Sequence, residues 1–398
     1  MYRLFCRACQ IAFRIAYRFL DSRAPTLIEG PGSVLRLPER LKADGATRVL
    51  VVTGNHLFSI GAPDPMLAEM ERLGLGTVVF HGVTCDPTDD QVEAGWNLYR
   101  SERCDAIVAL GGGTPIDCAK AIAAKTVRPD RPIRALQGLL RVRGRIPLFA
   151  AVPTTAGTGS EATVAAVITD RATHRKASIN DPSVLPAYAV LDPLLTVGLP
   201  PRTTAETGMD ALSHAVEAYL NRPYRTEETD RLAREAVSLI HRYLPAACRD
   251  GGDLAARQAL QRAAFDSGRA ISRACVGYTH AVGHALGGLY GIRHGAAMGI
   301  LLPHVLRQYG AAAHARLADL ADACALGGDT PGEKVERFIA WIEALKRETG
   351  IPERVEGIRK EDVPQIIRWA MREANPLYPV PVIWRKAEFR RFLDTVRA

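Results

Sequence analysis

The sequence contains no apolar run long enough for a membrane-spanning helix. Such a helix needs about 20 consecutive apolar residues, and the apolar stretch at residues 1–20 is interrupted by Arg14 and Arg18. We therefore expect no transmembrane segment. The arginines of this stretch have helical spacing, which predicts an amphipathic helix that lies on the body of the protein or on a partner subunit, with membrane contact as the alternative.

Lysine-rich runs and repeated alternation of basic with aromatic residues are also missing. The net charge is +8 and the isoelectric point about 9.1, but the basic residues are spread over the whole chain. A nucleic-acid interface concentrates its charge on one patch, whereas this distribution is typical of a solvated surface. We expect no nucleic-acid partner, and the phosphates of a dinucleotide would benefit modestly from the charge.

Little in the sequence indicates covalent or zinc cross-links. Among the 8 cysteines only Cys6 and Cys9 have CxxC spacing, and no second pair completes a zinc knuckle. No signal peptide is recognisable, so we expect reduced thiols and a cytoplasmic location.

The chain does contain enough apolar residues for two cores. It has 398 residues, of which 47% are hydrophobic and 24% charged, and a chain of this length usually forms more than one domain. Up to about Pro200, β-rich runs alternate with helical stretches, which predicts a parallel α/β sheet with crossover helices. Beyond it the segments indicate helices, so we expect an α/β domain at residues 1–199 and an all-α domain at residues 200–398.

The individual elements follow from the hydrophobic periodicity. In the first domain we predict strands at residues 48–52, 76–81, 106–110 and 146–152, a turn at 53–55, and helices at 65–73, 91–102 and 117–125. In the second domain we predict helices at residues 210–220, 226–243, 254–272, 278–287, 312–324 and 334–349.

Two loops that follow strands are rich in small and hydroxyl residues. The first is GGGTPID at residues 111–117, where glycines let backbone amides approach a phosphate and the next helix adds its positive end. It has neither the GxGxxG spacing of the common dinucleotide fingerprint nor the Walker A ending. The second is PTTAGTGSE at residues 153–161, whose hydroxyls suit phosphate, ribose or carboxamide. Tight turns that bind no ligand would account for these two loops about as well as a cofactor site does.

One aspartate and several histidines in the second half have a spacing that suits a metal. Asp210 and His214 are four residues apart in a helical stretch, so they project from one face. His280 and His284 repeat this spacing, and His294 follows. A carboxylate and imidazoles from separate helices suit a borderline divalent cation, although single core histidines are often structural. The other histidines lack such pairing, and we expect surface or structural roles for His56, His81, His174, His241, His304 and His314.

Together these residues resemble the iron-containing (group III) alcohol dehydrogenase family over about residues 25–390. The most specific motifs are GGGTPIDCAK at 111–120, the loop at 153–161, GMDALSHAVE at 208–217, and HAVGH at 280–284 followed by RHG at 293–295. The resemblance implies a dehydroquinate synthase-like fold: an N-terminal Rossmann-like α/β domain, an all-α C-terminal domain and a cleft between them.

The resemblance also implies roles for individual residues. The metal, Fe²⁺ with Zn²⁺ as the alternative, would be held by Asp210, His214, His280 and His294. His284 matches a histidine beside the nicotinamide that is usually not a ligand; it would position the nicotinamide or relay a proton. The remaining residues implied to bind NAD or NADP are Gly54, Asp86, Gly112, Gly113, Thr114, Asp117, Thr154, Thr155, Thr158 and Lys176, the last at the nicotinamide ribose.

Three positions depart from the family pattern. Gly54 stands where many NAD-preferring members carry an aspartate that binds the ribose hydroxyls, and its lack of charge permits NADP. Asp86 replaces an asparagine on the adenine side, and Ala165 replaces an asparagine after the hydroxyl-rich loop. NAD and NADP therefore both stay open.

The implied function is hydride transfer between a small primary or secondary alcohol or aldehyde and NAD(P) by a metal-dependent, homodimeric dehydrogenase. Two alternatives share the fold: a glycerol dehydrogenase, which typically has lysine at the position of Thr114, and a maleylacetate reductase, which works without metal. A metal-dependent hydrolase is the alternative from another class, although the HExxH signature is absent. A non-catalytic binding protein is the last alternative.

Overall fold

A boundary near residue 199 divides the chain into two units, Asp21–Gly198 and Met1–Leu20 with Leu199–Ala398. The computed structural model describes residues 1–16, 23–84, 86–171 and 176–398, so our expectations for Arg18, Cys85 and His174 lie outside the described residues. Helix α1 (Tyr2–Ala16) clusters with the second unit, whereas the sequence-based boundaries placed it with the first. Its contacts are not local in sequence, since Arg7 donates to the carbonyl oxygen of Val380 at 2.8 Å.

The unit Asp21–Gly198 is built on a parallel sheet, as predicted. Its strands are β1 (Thr26–Glu29), β2 (Arg48–Gly54), β3 (Gly76–Val83), β4 (Ala106–Gly111), β5 (Gly138–Leu139), β6 (Leu148–Pro153), β7 (Ala165–Thr169), β8 (Lys176–Asn180) and β9 (Tyr188–Leu191). Six of them pair in parallel in the order β1-β9-β6-β4-β2-β3. The central strands are continuous apolar runs, because a parallel sheet is covered on both faces.

Helices of the same unit pack on both faces of this sheet. They are α2 (Leu37–Ala43), α3 (Asn55–Ser59), α4 (Asp64–Arg72), α5 (Asp89–Ser101), α6 (Gly113–Val127) and α7 (Ile133–Leu136). On one face Leu50 of β2 shares a core with Ile122 of α6. On the other face Val51 shares a core with Met66 of α4.

Two details of this unit differ from the sequence-based expectation. The turn predicted at residues 53–55 is instead the end of β2 and the beginning of α3, because β2 continues through Gly54 with a register shift against β3. A second sheet, in the order β5-β8-β7, was not predicted. Strand β5 has only two residues, too few for a periodic pattern.

The second unit is helical, as predicted. Besides α1 it contains α8 (Pro201–Leu220), α9 (Glu227–Arg249), α10 (Leu254–Ala274), α11 (Tyr278–Tyr290), α12 (His294–Tyr309), α13 (Ala311–Ala323), α14 (Pro331–Glu348), α15 (Val363–Ala374) and α16 (Lys386–Val396). Tyr278 stacks on Trp384 with ring centroids 4.4 Å apart, so α11 is tied to the segment before α16. Within the described ranges, no helix combines the length and apolarity needed to cross a membrane.

Candidate metal and cofactor sites

The glycine loop and the hydroxyl-rich loop lie side by side in the α/β unit. Strands β4 and β6 are paired neighbours, with Gly111 opposite Pro153. The backbone N–H of Thr154 then donates to the carbonyl oxygen of Gly111 at 2.9 Å. The loop residues predicted to bind the cofactor therefore follow the carboxyl ends of adjacent strands. Open α/β sheets bind ligands at these ends.

Glycine at position 113 allows these two loops to pack closely. A Cβ on Gly113 would lie 2.7 Å from Cγ2 of Thr158, and a Cβ on Gly112 would lie 3.3 Å from Oγ1 of Thr155. Helix α6 begins at Gly113, and no described side chain caps its amino end. Its first backbone N–H groups therefore suit an anion such as a pyrophosphate.

Gly54 is the last residue of β2, and Asp86 follows the neighbouring strand β3, so both lie at the carboxyl ends of these strands. A Cβ on Gly54 would lie 3.6 Å from the carbonyl oxygen of Val83, an ordinary contact, so sterics do not require glycine here. The Nζ of Lys176 donates to Oδ1 of Asp86 at 2.6 Å. These two predicted cofactor residues therefore neutralise each other's charge.

Asp117 serves the local structure of this unit. Its Oδ1 accepts from Oγ of Ser160 at 2.5 Å, and its Oδ2 accepts from the backbone N–H of Val167 at 2.9 Å. One carboxylate oxygen thus fastens α6 to the hydroxyl-rich loop at Ser160, and the other fastens it to β7 at Val167. Thr114 belongs to the first turn of α6.

Lys120, for which no role was predicted, is fully buried on α6. Its Nζ donates to the carbonyl oxygens of Thr163 and Ala165, both at 2.8 Å, and to Oγ1 of Thr163 at 2.9 Å. Burial lowers the pKa of Lys120 to about 8, and burial raises the pKa of nearby Glu161 to about 7. Lys120 therefore fixes, from inside the core, the segment that directly follows the hydroxyl-rich loop.

In the helical unit, histidine side chains converge on the carboxylate of Asp210. Its Oδ1 lies 3.1 Å from Nε2 of His294, 3.7 Å from Nε2 of His280 and 4.0 Å from Nε2 of His214. The donor atoms of Asp210, His280 and His294 all lie within 4.8 Å of one another. His214 is outside that group of three, and its ring stacks on His280 with centroids 4.4 Å apart.

Three helices bring these side chains together. Asp210 and His214 lie one turn apart on α8, His280 lies on α11, and His294 is the first residue of α12. A Cβ on Gly295 would lie 2.2 Å from the carbonyl oxygen of Glu206 on α8. Only glycine lets the start of α12 approach α8 this closely, and this approach places His294 beside Asp210.

The polar atoms at the centre of this cluster are unsatisfied. Oδ1 of Asp210 and Nε2 of His280, which face each other, are buried and have no hydrogen-bond partner among the described residues. Such atoms cost about 1–3 kcal/mol each when left unpaired. A divalent cation between one carboxylate and three imidazoles would satisfy the facing atoms, so these residues fit the expected metal.

Charge coupling within the cluster is strong. Burial alone would raise the pKa of Asp210, but the imidazoles of His294 and His214 hold it well below its usual value. Burial lowers the pKa of His214 to about 3. Burial would also lower the pKa of His280, but the carboxylates of Glu217 and Asp210 raise it to about 9.

Glu217 supports the cluster and was not singled out from the sequence. Nδ1 of His280 donates to its Oε2 at 2.5 Å. Backbone N–H groups of Gly277 and Thr279 donate to the same carboxylate at 2.8 and 2.7 Å. Its position seven residues after Asp210, on the same face of α8, was the available signal.

His284 lies beside the cluster without joining the group of three. Its Nδ1 lies 2.8 Å from Oε1 of Glu373, which also accepts from the hydroxyl of Tyr378 at 3.0 Å. The ring of His284 stacks near that of His294, with centroids 5.2 Å apart. Glu373 and Tyr378 were not predicted as site residues.

Two family models and many relatives match most of this chain. Models of iron-containing alcohol dehydrogenase and of the C-terminal part of the Fe-containing alcohol dehydrogenase family match residues 24–193 and 204–389. The 1,3-propanediol dehydrogenase of Citrobacter freundii is 37% identical over 370 residues, which cover 91% of this chain and 95% of that protein. The NAD-dependent methanol dehydrogenase of Bacillus methanolicus is 36% identical over 353 residues, which cover 88% and 92%. A solved 1,3-propanediol oxidoreductase superposes with a TM-score of 0.90 at 34% identity, covering 95% of this chain and 100% of that one.

The chain belongs to the iron-containing alcohol dehydrogenase family. It is an enzyme, an oxidoreductase that acts on alcohols and aldehydes. The family, the fold and the reaction class expected from the motifs are therefore confirmed.

Proposed function

We propose that the enzyme transfers a hydride between a small primary or secondary alcohol or aldehyde and NAD, or NADP, with the help of a divalent metal. The observation that carries this proposal is the convergence of His214, His280 and His294 on the buried, unpartnered Oδ1 of Asp210. We propose Fe²⁺ as the metal, on the description of the family, and Zn²⁺ as the alternative, because three imidazoles and one carboxylate suit either.

Each residue of the cluster has a defined task. A metal bound there would act as a Lewis acid on the substrate oxygen. Asp210 and the three histidines would hold it, and the hydrogen bond from Nδ1 of His280 to Glu217 would leave Nε2 as the nitrogen for the metal. His284, oriented by Glu373, positions the nicotinamide or relays a proton. This role requires that the ring not be a ligand, which fits its pairing with Glu373, whereas His214, His280 and His294 each lie within 4.0 Å of Asp210.

The proposed cofactor site lies at the carboxyl ends of the parallel strands. Gly112, Gly113 and Thr114 begin α6 and would receive the pyrophosphate, while Thr154, Thr155 and Thr158 border it from the adjacent loop. Gly54 offers no carboxylate that would repel a 2′-phosphate. The Lys176–Asp86 pair would have to open, or act as a unit, for Lys176 to reach a ribose. Asp117 would act indirectly, by fixing α6.

The substrate class follows from the relatives. Two of them are named for short alcohols, 1,3-propanediol and methanol. We propose a short alcohol or its aldehyde here as well. A homodimer and a cytoplasmic location complete the proposal; free thiols at every cysteine among the described residues are consistent with a reducing compartment.

An absorbance assay of the reduced nicotinamide tests this function. The purified enzyme, loaded with Fe²⁺ or Zn²⁺ or stripped with a chelator, is offered short alcohols and aldehydes with each dinucleotide. We expect turnover that needs metal and that ranks the substrates and cofactors. Turnover of the fully stripped enzyme at an undiminished rate would instead indicate a metal-free reductase, as in maleylacetate reductase.

A further inference from the structure

The N-terminal helix contributes no residue to the metal and cofactor sites described above. Residues before position 24 lie outside the stretches that match the family models. Helix α1 is nevertheless firmly attached to the helical unit by one face. Cys6 and Gln10 are fully buried, and the amide of Gln10 donates to the carbonyl oxygens of Pro376 and Tyr378 at 3.0 and 2.9 Å.

The opposite face of α1 is an exposed apolar stripe. Three of its members are seven and four residues apart and therefore lie on one side of the helix, and the fourth, Phe5, flanks them on the side away from Cys6 and Gln10. The four members are Leu4, Phe5, Ile11 and Ile15, with exposed fractions of 75%, 60%, 59% and 55%. Apart from Met1, the helical unit exposes no other large hydrophobic side chain among its described residues. Such a contiguous patch is typical of a contact surface.

An arginine-rich cavity borders the stripe at Arg14. The cavity has a volume of about 620 Å³, and five arginines line it against the two carboxylates of Glu227 and Asp230. Asp230 is already shared, since Arg225 and Arg316 donate to it at 2.7 and 2.6 Å. The other lining arginines are Arg14, Arg222 and Arg234.

Positive charge is thus in excess at this cavity. Neither Arg14 nor Arg234 has a carboxylate partner among the described residues. Helix α1 itself contains no acidic residue. A basic helix with an apolar stripe is the form of helices that lie in the interface of a lipid bilayer.

We propose that α1 and the adjoining arginine cavity dock the enzyme reversibly on an anionic phospholipid surface. The stripe would enter the boundary between headgroups and acyl chains, and Arg14 and Arg234 would meet lipid phosphates. A second copy of the chain fits this surface less well. In a two-fold symmetric contact through the stripe, Arg14 of both copies would enter one interface, and α1 supplies no acid to neutralise them.

Cosedimentation of the full-length enzyme with vesicles tests the proposal. We expect binding to phosphatidylglycerol–phosphatidylcholine vesicles, weakening at high salt, and little binding to pure phosphatidylcholine vesicles. The double variant Arg14→Gln/Arg234→Gln should bind about thirtyfold more weakly, because each cation near an anionic surface contributes severalfold. Phe5→Ser/Ile11→Ser should weaken binding by about tenfold or more. Alcohol turnover in solution should not change in either variant.

Matched controls come from the other unit. Ile60 is as exposed as Ile11, at 61%, and Arg40 is an exposed arginine of α2. Ile60→Ser and Arg40→Gln should therefore leave vesicle binding unchanged. Absence of binding to anionic vesicles, or equal binding to both vesicle types, would overturn the proposal. A smaller oligomer produced by Phe5→Ser/Ile11→Ser, without any vesicle binding by the parent enzyme, would show instead that the stripe joins copies of the chain.

Discussion

Nδ1 of His280 lies 2.5 Å from Oε2 of Glu217, and both side chains are almost fully buried. Because an ionised carboxylate can only accept, Nδ1 carries a proton, and Nε2 is the nitrogen through which the neutral ring would bind a metal. That Nε2 is directed to Asp210, whose Oδ1 lies 3.7 Å away. Glu217 thus orients His280 in the way that the proposed metal site requires.

The Glu217→Gln variant should bind the metal about 10–100-fold more weakly, as expected when an orienting carboxylate behind a ligating histidine is removed. Turnover at saturating metal should fall less than the affinity. Competition with a chelator measures the affinity. Asp266→Asn removes a different buried carboxylate, one that pairs with Arg262 on α10, and is the control. Unchanged metal affinity in Glu217→Gln would show that Glu217 does not support metal binding.

His284→Ala should keep the metal but lose turnover. His284 pairs with Glu373, whereas the three proposed histidine ligands face Asp210, and a positioned acid or base contributes about 10²–10⁴-fold to a rate. Glu373→Gln should alter the pH profile of kcat, since it removes the charge that faces Nδ1. Metal content and kcat are measured on the same preparations. Loss of the metal from His284→Ala would show that His284 is a metal ligand.

Gly113→Ala should weaken dinucleotide binding. The new Cβ would lie 2.7 Å from Thr158, so the hydroxyl-rich loop must move away from the start of α6. We expect KM for the dinucleotide to rise about tenfold, which corresponds to about 1.4 kcal/mol of lost binding, with metal content unchanged. Gly198→Ala is the control, because a Cβ there meets no atom within 4 Å. An unaltered KM in Gly113→Ala would show that this loop does not bind the dinucleotide.

Local patterns in the sequence predicted the features that depend on neighbouring residues. The parallel sheet follows from buried apolar runs such as β2, and the placement of Asp210 and His214 follows from helical spacing. Contacts between distant residues were not predictable in this way. Glu373 is 89 residues from His284, and nothing near either residue indicates the pairing. The attachment of α1 to residues close to the C-terminus is another such contact.

Lys120 should make the stability of the α/β unit change with pH in the alkaline range. Burial lowers its pKa from 10.5 to about 8, so the unfolded chain binds this proton more tightly than the folded chain. The free energy of unfolding should therefore rise between about pH 8 and 10.5 and lose this contribution as the pH falls through 8. The expected change is of the order of 3 kcal/mol.

Denaturant unfolding at several pH values checks this effect. Lys120→Met should be less stable overall, because the carbonyl oxygens of Thr163 and Ala165 lose their donor. The difference in unfolding free energy between wild type and Lys120→Met should widen from pH 8 upwards, since other titrating groups cancel in the comparison. A difference that stays constant over this range would show that Lys120 does not titrate as its burial predicts.

Whether the Asp210 cluster carries both the metal and the reaction is decided by measuring metal content and turnover on the same sample of His280→Ala. The matched control is His304→Ala, which removes a histidine of α12 outside the cluster. We expect about one metal ion per chain, as in a single catalytic site, and full turnover in wild type and control. His280→Ala should lose both together. A His280→Ala enzyme that turns over alcohol normally would contradict the metal site proposed here.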